Sequence, residues 1–323
     1  MIAATPLVAG QPASTTILAS ALGWLDAWID FNGNGAFDHP AEHLAGGVSA
    51  LVVPGPNVLS FSVPADAAPG TSYVRLRISS AGSLPPTGPA FDGEVEDHLV
   101  EILITGSIHG FKYEDVDGDG VYIPSVDLPL AGVEFTLSGT DVLGNAVNGT
   151  AFTDPLGEFG FVDLVPGNYT VVKTVPAGHV ATSPTSFSSV VNPGEELVAF
   201  EGQAMLPPGD PRFEVMVGAP LMFGNTVPGS IHGFKFEDVD GDGVYIPSVD
   251  LPLAGVEFTL TGTDGQGNVI NTAETTDING EFSFTGLLPS VAGTGSATGY
   301  TVVETVPAGY VATTSTVFST DLL

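Results

Sequence analysis

Apolar and polar residues alternate over short stretches of this chain, with the period of two that is typical of β-strands. In the first hundred residues the alternation is clearest at 58–63 and 73–78, and apolar segments occur at 17–19, 25–31 and 98–104. The 42 Gly and 26 Pro residues favour turns between short strands. The pattern therefore predicts an all-β chain with no substantial helix.

A long internal repeat follows the first hundred residues. Residues 106–141 recur at 229–264, and the two copies differ only at Tyr113/Phe236 and Ser138/Thr261. We therefore predict three tandem antiparallel β-sandwich domains, Ig-like or prealbumin-like, over residues 1–104, 105–228 and 229–323. The second copy stops without the tail that follows the first, so we expect the third domain to be C-terminally incomplete. A repeat this close also suggests a longer array of similar units.

The charge balance excludes some classes of partner. Six Lys and Arg residues stand against 37 Asp and Glu residues, a net charge of -31. Nucleic acids and anionic membranes attract basic surfaces, so neither is an expected partner. The chain has no Cys, and its stability must then come from β-cores and bound metal rather than disulfides. We also expect no membrane span and see no signal peptide pattern.

Each copy of the repeat contains Asp-x-Asp-x-Asp-Gly directly after its first predicted strand. Counting Asp115 as position 1, carboxylates stand at positions 1, 3, 5 and 13, and Gly120 takes a sharp turn at position 6. This order resembles that of EF-hand calcium ligands, except that the last acid is Asp at 13 rather than Glu at 12. The predicted ligands are Asp115, Asp117, Asp119, the Val121 carbonyl and Asp127, and then Asp238, Asp240, Asp242, the Val244 carbonyl and Asp250.

Two interpretations of these loops are open. Four neighbouring acids repel one another unless a cation holds them, and an all-oxygen cage suits Ca²⁺ better than Mg²⁺. The alternative is an acidic turn whose Asp side chains accept backbone N–H groups. We expect two strong calcium sites of structural role. A third, weaker calcium site is predicted at Asp30, Asn32, Asn34, Ala36 and Glu42, where Asn at two positions lowers the charge.

Two family resemblances arise from these motifs. Trp28-Ile29-Asp30-Phe31-Asn32, Arg75-Leu76-Arg77 and Gly93-Glu94-Val95-Glu96-Asp97 together resemble the GEVED domain, named for that pentapeptide. Residues 105–323 resemble two SdrD B-like repeats, the calcium-binding modules of bacterial surface adhesins. They do so through the Asp loop, Leu130-Ala131-Gly132-Val133 and the Thr-Asp-x-x-Gly-Glu-Phe turn. The resemblance implies stalk modules without catalytic activity, although that family's calcium loop ends in Glu.

Three further motifs are weighed and set aside. His39-Pro40-Ala41-Glu42-His43 has the H-x-x-E-H spacing of a zinc protease, but Pro40 and the β context argue against the helix that this chemistry needs, so both His are expected at the surface. Leu84-Pro85-Pro86-Thr87-Gly88 matches a sortase signal without its apolar tail and is expected to be a loop. An isopeptide bond is not expected either. Lys235 and Glu304 lack the required Asn, and Lys112 and Lys173 are expected to face solvent or to extend their amines to it along the surface.

The sequence therefore favours an extracellular, calcium-stabilised structural protein of a cell-surface stalk, filament or matrix. It predicts no enzyme. Homo-oligomers, polymers or other surface proteins are the expected partners, and a strand from a neighbouring subunit is a candidate to complete the third domain. One alternative is a ligand-binding adhesin with the first domain as its head. Another is the non-catalytic part of a secreted enzyme.

Overall fold

A computed structural model of the chain shows three β-rich units, each with its own hydrophobic cluster. The structure describes residues 5–198, 221–290 and 299–322. Within these ranges there is no helix, and so none with the length and hydropathy that crossing a bilayer requires. The prediction of an all-β chain of tandem domains is confirmed, while the predicted domain boundaries stay predictions.

The first unit packs a five-stranded sheet against a two-stranded one. The large sheet has the order β1-β7-β6-β3-β4, and β2 pairs with β5 in the small sheet. All pairs are antiparallel except β1 with β7. The strands are β1 (Leu7–Val8), β2 (Pro12–Ala19), β3 (Gly23–Ile29), β4 (Ala50–Val52), β5 (Gly55–Ser62), β6 (Gly70–Ser79) and β7 (Glu94–Leu103).

The second unit is a sandwich of two larger sheets. One has the order β11-β10-β13-β15, and the other β12-β8-β17-β14, with β9 and β16 also paired to β8. Both β16 and β17 join β8 in parallel. The strands are β8 (Gly106–Glu114), β9 (Leu128–Pro129), β10 (Glu134–Asp141), β11 (Ala146–Phe152), β12 (Glu158–Leu164), β13 (Gly167–Lys173), β14 (Val180–Ala181), β15 (Ser186–Val191), β16 (Glu196–Leu197) and β17 (Met222–Thr226).

The third unit repeats one of these sheets and part of the other. Its four-stranded sheet has the order β22-β21-β24-β25, and two pairs, β18 with β23 and β19 with β20, face it. The second copy has eight more residues than the first between Pro289 and Tyr300, and residues 291–298 lie outside the described ranges. The strands are β18 (Gly229–Phe234), β19 (Phe236–Glu237), β20 (Leu251–Pro252), β21 (Glu257–Thr263), β22 (Val269–Thr275), β23 (Glu281–Leu287), β24 (Gly299–Glu304) and β25 (Val317–Thr320).

The two arginines of the first unit explain how its loop at 84–88 is held. Arg75 forms a bidentate ion pair with Asp97, at 2.7 Å from Nε and 2.6 Å from Nη2, and this pair lowers the pKa of that carboxyl. Arg75 also donates to the Pro86 carbonyl at 3.1 Å, and Arg77 donates to the Gly88 carbonyl at 2.8 Å. The sortase-like motif is therefore a loop tied to β6.

Two lysines of the second unit lie inside its core, so the expectation that they face solvent is wrong. Lys112 is fully buried, and Lys173 is 3% exposed. Lys112 Nζ donates to the Tyr113 carbonyl, and Lys173 Nζ donates to the Gly224 carbonyl at 2.7 Å. The local alternation did not predict this burial, because the strand that covers the two lysines, β17, lies more than a hundred residues downstream of Lys112.

Burial also sets the charge state of these lysines. Desolvation, and secondly repulsion by Lys173, lowers the pKa of Lys112 to about 7. Desolvation lowers the pKa of Lys173 to about 8. The third unit differs, because Glu304 occupies the position equivalent to Lys173. Its Oε1 lies 2.9 Å from Nζ of Lys235, so the equivalent amine there has a charged partner.

The different surroundings of Lys112 and Lys235 predict opposite effects of a Lys→Met substitution at these two positions. We expect Lys112→Met to slow amide hydrogen exchange in β8, because it removes a buried amine and keeps the side-chain length. Lys235→Met should accelerate exchange in β18, since it leaves the Glu304 carboxylate buried without its partner. Each change should be on the order of 1–3 kcal/mol in opening free energy. Exchange measured by mass spectrometry on the full chain tests both.

The pH dependence of stability offers an independent test for Lys112. Between the folded pKa of Lys112, about 7, and its ordinary value of 10.5, the unfolded chain binds more protons than the folded chain. The stability of the second unit should therefore rise with pH across this interval, and rise less in Lys112→Met. If Lys112→Met and Lys235→Met changed hydrogen exchange in the same direction, this account of the two lysines would be contradicted.

Candidate metal centres

The first Asp-rich loop connects β8 to β9 and folds back on itself. One ligand atom each of Asp115, Asp117 and Asp127 lies within 4.8 Å of the other two. The side chain of Asp127, at position 13, therefore lies close to those of Asp115 and Asp117, at positions 1 and 3, as the predicted ligand order requires. Asp119 lies outside this group of three. Gly120, at position 6, has a φ of +82°, a conformation that favours glycine.

Backbone N–H groups of the loop donate to several of these carboxylates. The last acid, Asp127, bridges the loop, because its two oxygens accept from Val116 and from Ile123. The alternative interpretation, in which Asp side chains accept backbone N–H groups, is therefore correct for part of the loop. Other carboxylate oxygens of the loop remain available to a cation. Further bonds are Asp119 N to Asp115 Oδ1 (3.1 Å) and to Asp117 Oδ1 (3.4 Å), Gly120 N to Asp115 Oδ2 (2.8 Å) and Val121 N to Asp119 Oδ1 (2.7 Å).

Capping explains only one oxygen of Asp117, because Oδ1 accepts from Asp119 N at 3.4 Å and Oδ2 does not take part. Asp117 is 6% exposed, and its Oδ2 is buried without a hydrogen-bond partner. A buried, unpartnered carboxylate oxygen is costly, and it needs a cation or proton to be stable. Because this oxygen belongs to a residue of the three-acid group, the site fits a hard divalent cation.

The carboxylates of this group resist ionisation in the absence of a cation. Burial, followed by repulsion from Asp119, Asp127 and Asp115, raises the pKa of Asp117 to about 7. Burial also raises the pKa of Asp127 to about 6 and raises that of Asp115. Low dielectric and like charge thus act together against the charged state of the loop.

The second loop repeats this geometry in a different environment. Asp238, Asp240 and Asp250 form the equivalent group, and the last acid again bridges the loop, accepting from Val239 at 2.9 Å and Ile246 at 2.7 Å. Asp240 is exposed, however, whereas its equivalent Asp117 is buried. The bonds that repeat those of the first loop are Asp242 N to Asp238 Oδ1 (3.1 Å), Gly243 N to Asp238 Oδ2 (2.8 Å) and Val244 N to Asp242 Oδ1 (2.7 Å).

The third unit accounts for this difference, because it covers the first loop. A Cβ added at Gly118 would lie 2.9 Å from Pro289, and one added at Gly265 would lie 2.3 Å from the Asp117 carbonyl oxygen. Gln266 Nε2 donates to the Thr182 carbonyl at 3.0 Å. The sequence did not predict the contacts of Gly265, Gln266 and Pro289 with the second unit. Contacts between two units leave no periodic pattern in the sequence of either unit.

The predicted weaker site of the first unit forms a compact loop whose polar groups largely satisfy one another. Glu42 bridges it, with Oε1 accepting from Phe31 N at 2.8 Å and Oε2 from Asp38 N at 2.9 Å. The amides of Asn32 and Asn34 both donate to Asp38 Oδ2. The described residues place no group of three acids here. Calcium at Asp30, Asn32, Asn34, Ala36 and Glu42 stays a prediction.

One of the two histidines beside this loop is not at the surface as expected. His39 is exposed, but His43 is buried, and its Nε2 lies 3.2 Å from Oδ1 of the buried Asp26. Its Nδ1 accepts from Gly47 N at 3.1 Å, and burial lowers its pKa. Both ring nitrogens are therefore used in packing, and the segment is a series of turns. His43 is buried because the loop folds back over β3 and pairs it with Trp28.

Comparison with known protein families agrees with the three units. Residues 24–101 match the GEVED domain, residues 106–191 the SdrD B-like domain, and residues 246–321 the prealbumin-like fold domain. The first two matches confirm the predicted resemblances. The third match begins after most of the second Asp loop.

Similar proteins share parts of this chain. Colossin-A of Dictyostelium discoideum is 28% identical over 218 residues, which are 67% of this chain and 2% of that protein. Serine-aspartate repeat-containing protein D of Staphylococcus aureus strain Newman is 30% identical over 182 residues, 55% of this chain and 12% of that protein. The structure of a streptococcal ancillary pilin shares 12% identity with a TM-score of 0.29, covering 97% of this chain and 95% of that one.

The chain thus spans a small fraction of the curated relatives, 2% of one and 12% of the other. The expectation of an extracellular, cell-surface protein is confirmed by these relationships. Successive segments of the chain thus match a GEVED domain, an SdrD B-like domain and a prealbumin-like fold domain, and these similarities support a cell-surface structural or adhesin-like protein.

Proposed function

We propose that this chain is a calcium-stabilised structural segment of a cell-surface stalk, filament or matrix. The observation that carries the proposal is the buried, unpartnered Oδ2 of Asp117 within a group of three acids. A cation is the partner that satisfies this oxygen and offsets the mutual repulsion of the group. The matched domain families support a structural role without catalysis.

The same residue types would hold calcium in both repeats. Asp and backbone carbonyl oxygens are the ligands that Ca²⁺ prefers, in a cage of six to eight oxygens. The ion would supply positive charge that lets the acids ionise and would tie the end of β8 to the start of β9. The ligand sets are Asp115, Asp117, Asp119, Val121 and Asp127, and Asp238, Asp240, Asp242, Val244 and Asp250.

The position of the first loop gives this calcium a role beyond one domain. Gly118 and the Asp117 carbonyl are in contact with Pro289 and Gly265 of the next unit. A metal-ordered loop would therefore present a rigid surface to the third unit. A stalk needs this property, because its reach depends on stiff junctions between domains.

The proposal also includes assembly by strand addition. Extended segments bind to exposed sheet edges through main-chain hydrogen bonds. In the third unit β18 has an edge of this kind within the described residues. Such an edge would let the chain join other surface proteins or further copies into a filament or matrix.

We expect calcium to raise the melting temperature of the full chain and to protect residues 115–127 and 238–250 from proteolysis. Binding to the folded state alone stabilises it by RT ln(1 + [L]/Kd), which is about 2.7 kcal/mol at a hundredfold excess over Kd. Calorimetry with calcium and with EDTA measures the shift, and magnesium at equal concentration is the control. Identical melting curves in calcium and EDTA would overturn the calcium part of the proposal.

Two substitutions in the first loop separate metal binding from capping. In EDTA, Asp117→Asn should leave the second unit as stable or more stable, because it removes repulsion and breaks no hydrogen bond of Oδ2. Asp127→Asn should cost about 1–3 kcal/mol in EDTA, since one of its oxygens no longer accepts a backbone N–H. Both variants should weaken calcium binding.

The control for this pair is Asp240→Asn at the position equivalent to Asp117. Isothermal titration calorimetry should show the loss of one strong site in Asp117→Asn and of the other in Asp240→Asn. Only Asp117→Asn should also increase hydrogen exchange around Gly265 and Gln266 in calcium, because Gly265 packs against the Asp117 carbonyl of the first loop. An equal increase in both variants would contradict the proposed junction.

A further inference from the structure

The polar loop of the first unit has the same backbone hydrogen bonds as the two Asp-rich loops. Counting Asp30 as position 1, its carboxylate accepts the N–H groups of positions 5 and 6, Asn34 at 3.1 Å and Gly35 at 2.9 Å. The first acid of each Asp-rich loop accepts from positions 5 and 6 of its own loop in the same way. In all three loops the acid at position 13 accepts from positions 2 and 9. The loops therefore share one backbone frame and differ in the side chains that it holds.

The amide groups at positions 3 and 5 of the first loop have a fixed orientation. Asn34 N donates to Asn32 Oδ1 at 3.0 Å, and Ala36 N donates to Asn34 Oδ1 at 2.8 Å. A backbone N–H group can only donate, so the side-chain atom that it meets must be the oxygen of each amide. The NH2 group of each Asn therefore takes the place of the second carboxylate oxygen that an Asp has at the same position.

This exchange of an oxygen for an NH2 group reverses the chemistry of position 3. In the second unit, Asp117 Oδ1 accepts from Asp119 N, and Asp117 Oδ2 is buried without a hydrogen-bond partner. In the first unit the atom equivalent to that Oδ2 is Asn32 Nδ2, which is a hydrogen-bond donor. An amide NH2 group carries positive partial charge and accepts no hydrogen bond. The atom that could bind a cation in one loop therefore repels it in the other.

The first loop supplies its own anion for these two donors. Asn32 Nδ2 and Asn34 Nδ2 donate to the same oxygen, Oδ2 of Asp38, at 2.9 Å and 3.0 Å. Asp38 stands at position 9, where the two Asp-rich loops have Ile123 and Ile246. The loop with two amide donors is thus the one with an additional acid, and that acid accepts from both amides.

The buried acids of the first loop are satisfied without a metal ion. Asp30 is 5% exposed and Glu42 is 4% exposed. Each of their four carboxylate oxygens accepts a backbone N–H group at 2.8 to 3.1 Å. Such bonds stabilise the ionised form of a carboxylate. The unpartnered oxygen on which the calcium proposal for the second unit rests has no counterpart among these four atoms.

We propose that the first unit is calcium-independent, because the amides of Asn32 and Asn34 and the carboxylate of Asp38 replace the ion within the shared loop frame. The calcium predicted for this loop does not fit the orientation of these side chains. Calcium dependence then begins at the second unit, and the first unit keeps its fold when calcium is removed. The inference rests on the proposed function only for the second and third units.

We expect hydrogen exchange of residues 30–42 to be the same in calcium and in EDTA. Residues 115–127 should instead exchange about tenfold more slowly in calcium at about ten times Kd, because binding to the folded loop lowers its opening equilibrium by that factor. Exchange mass spectrometry on the full chain measures both segments in one sample. Calcium-dependent protection of residues 30–42 would overturn the inference.

A double variant, Asn32→Asp with Asn34→Asp, gives the first loop the Asp-x-Asp-x-Asp-Gly sequence of the other two. In EDTA we expect residues 30–42 to exchange faster than in the parent, since two donors become carboxylates beside Asp38. Calcium at about ten times Kd should slow this exchange about tenfold. Isothermal titration calorimetry should count one more calcium site than in the parent. Asn32→Asp alone adds half the charge and should bind calcium more weakly at the same place.

The matched control is Asp38→Asn, which removes the acceptor of the two amides and adds no ligand. It should accelerate exchange of residues 30–42 by roughly tenfold, through the loss of hydrogen bonds to a charged group. The acceleration should be equal in calcium and EDTA, and the number of calcium sites should stay that of the parent. A smaller calcium response in Asp38→Asn than in the parent would identify Asp38 as a metal ligand and overturn the inference.

The variants also separate this inference from the proposed function. If calcium leaves residues 115–127 of the parent unchanged, the calcium part of the proposed function fails. The double variant still tests the first loop in that case, because its added site depends on Asn32 and Asn34 alone. No additional calcium site in either the double variant or Asn32→Asp would overturn the inference, even if calcium protects residues 115–127.

Discussion

The repulsion among clustered carboxylates is the constraint on which the second unit depends. With 37 acids against six Lys and Arg residues, the chain has few cations of its own to offset Asp115, Asp117 and Asp127. The two lysines that approach this region are buried, and their pKa values are lowered. The described part of the chain therefore supplies little positive charge to this group of carboxylates.

One loop sequence thus has two physical contexts. In the second unit the loop is covered by Pro289 and Gly265 of the next unit, and in the third unit Asp240, the equivalent of Asp117, is exposed. Burial lowers the local dielectric, so it strengthens both repulsion without a cation and attraction with one. Identical ligand sets can therefore differ in affinity because of their neighbours alone.

The sequence predicted the strands and the loops well, since both depend on local pattern. Alternation located β5 and β6, and the spacing of Asp115, Asp117 and Asp127 anticipated that their side chains lie close together. It did not reveal that Lys112 and His43 are buried, because both are covered by segments that local periodicity does not connect to them. The contact of Gln266 with the second unit was equally invisible, since it joins two separate repeats.

The link between the second and third units has a mechanical consequence. The chain enters the second unit through β8 and leaves it through β17, and these two strands lie side by side in parallel. β17 ends at Thr226 and β18 begins at Gly229, so tension along the chain passes directly from one unit to the next. A pull on the ends of this unit shears β17 along β8 and loads their backbone hydrogen bonds together rather than one after another. The parallel strand pair thus resists extension of the chain by shear.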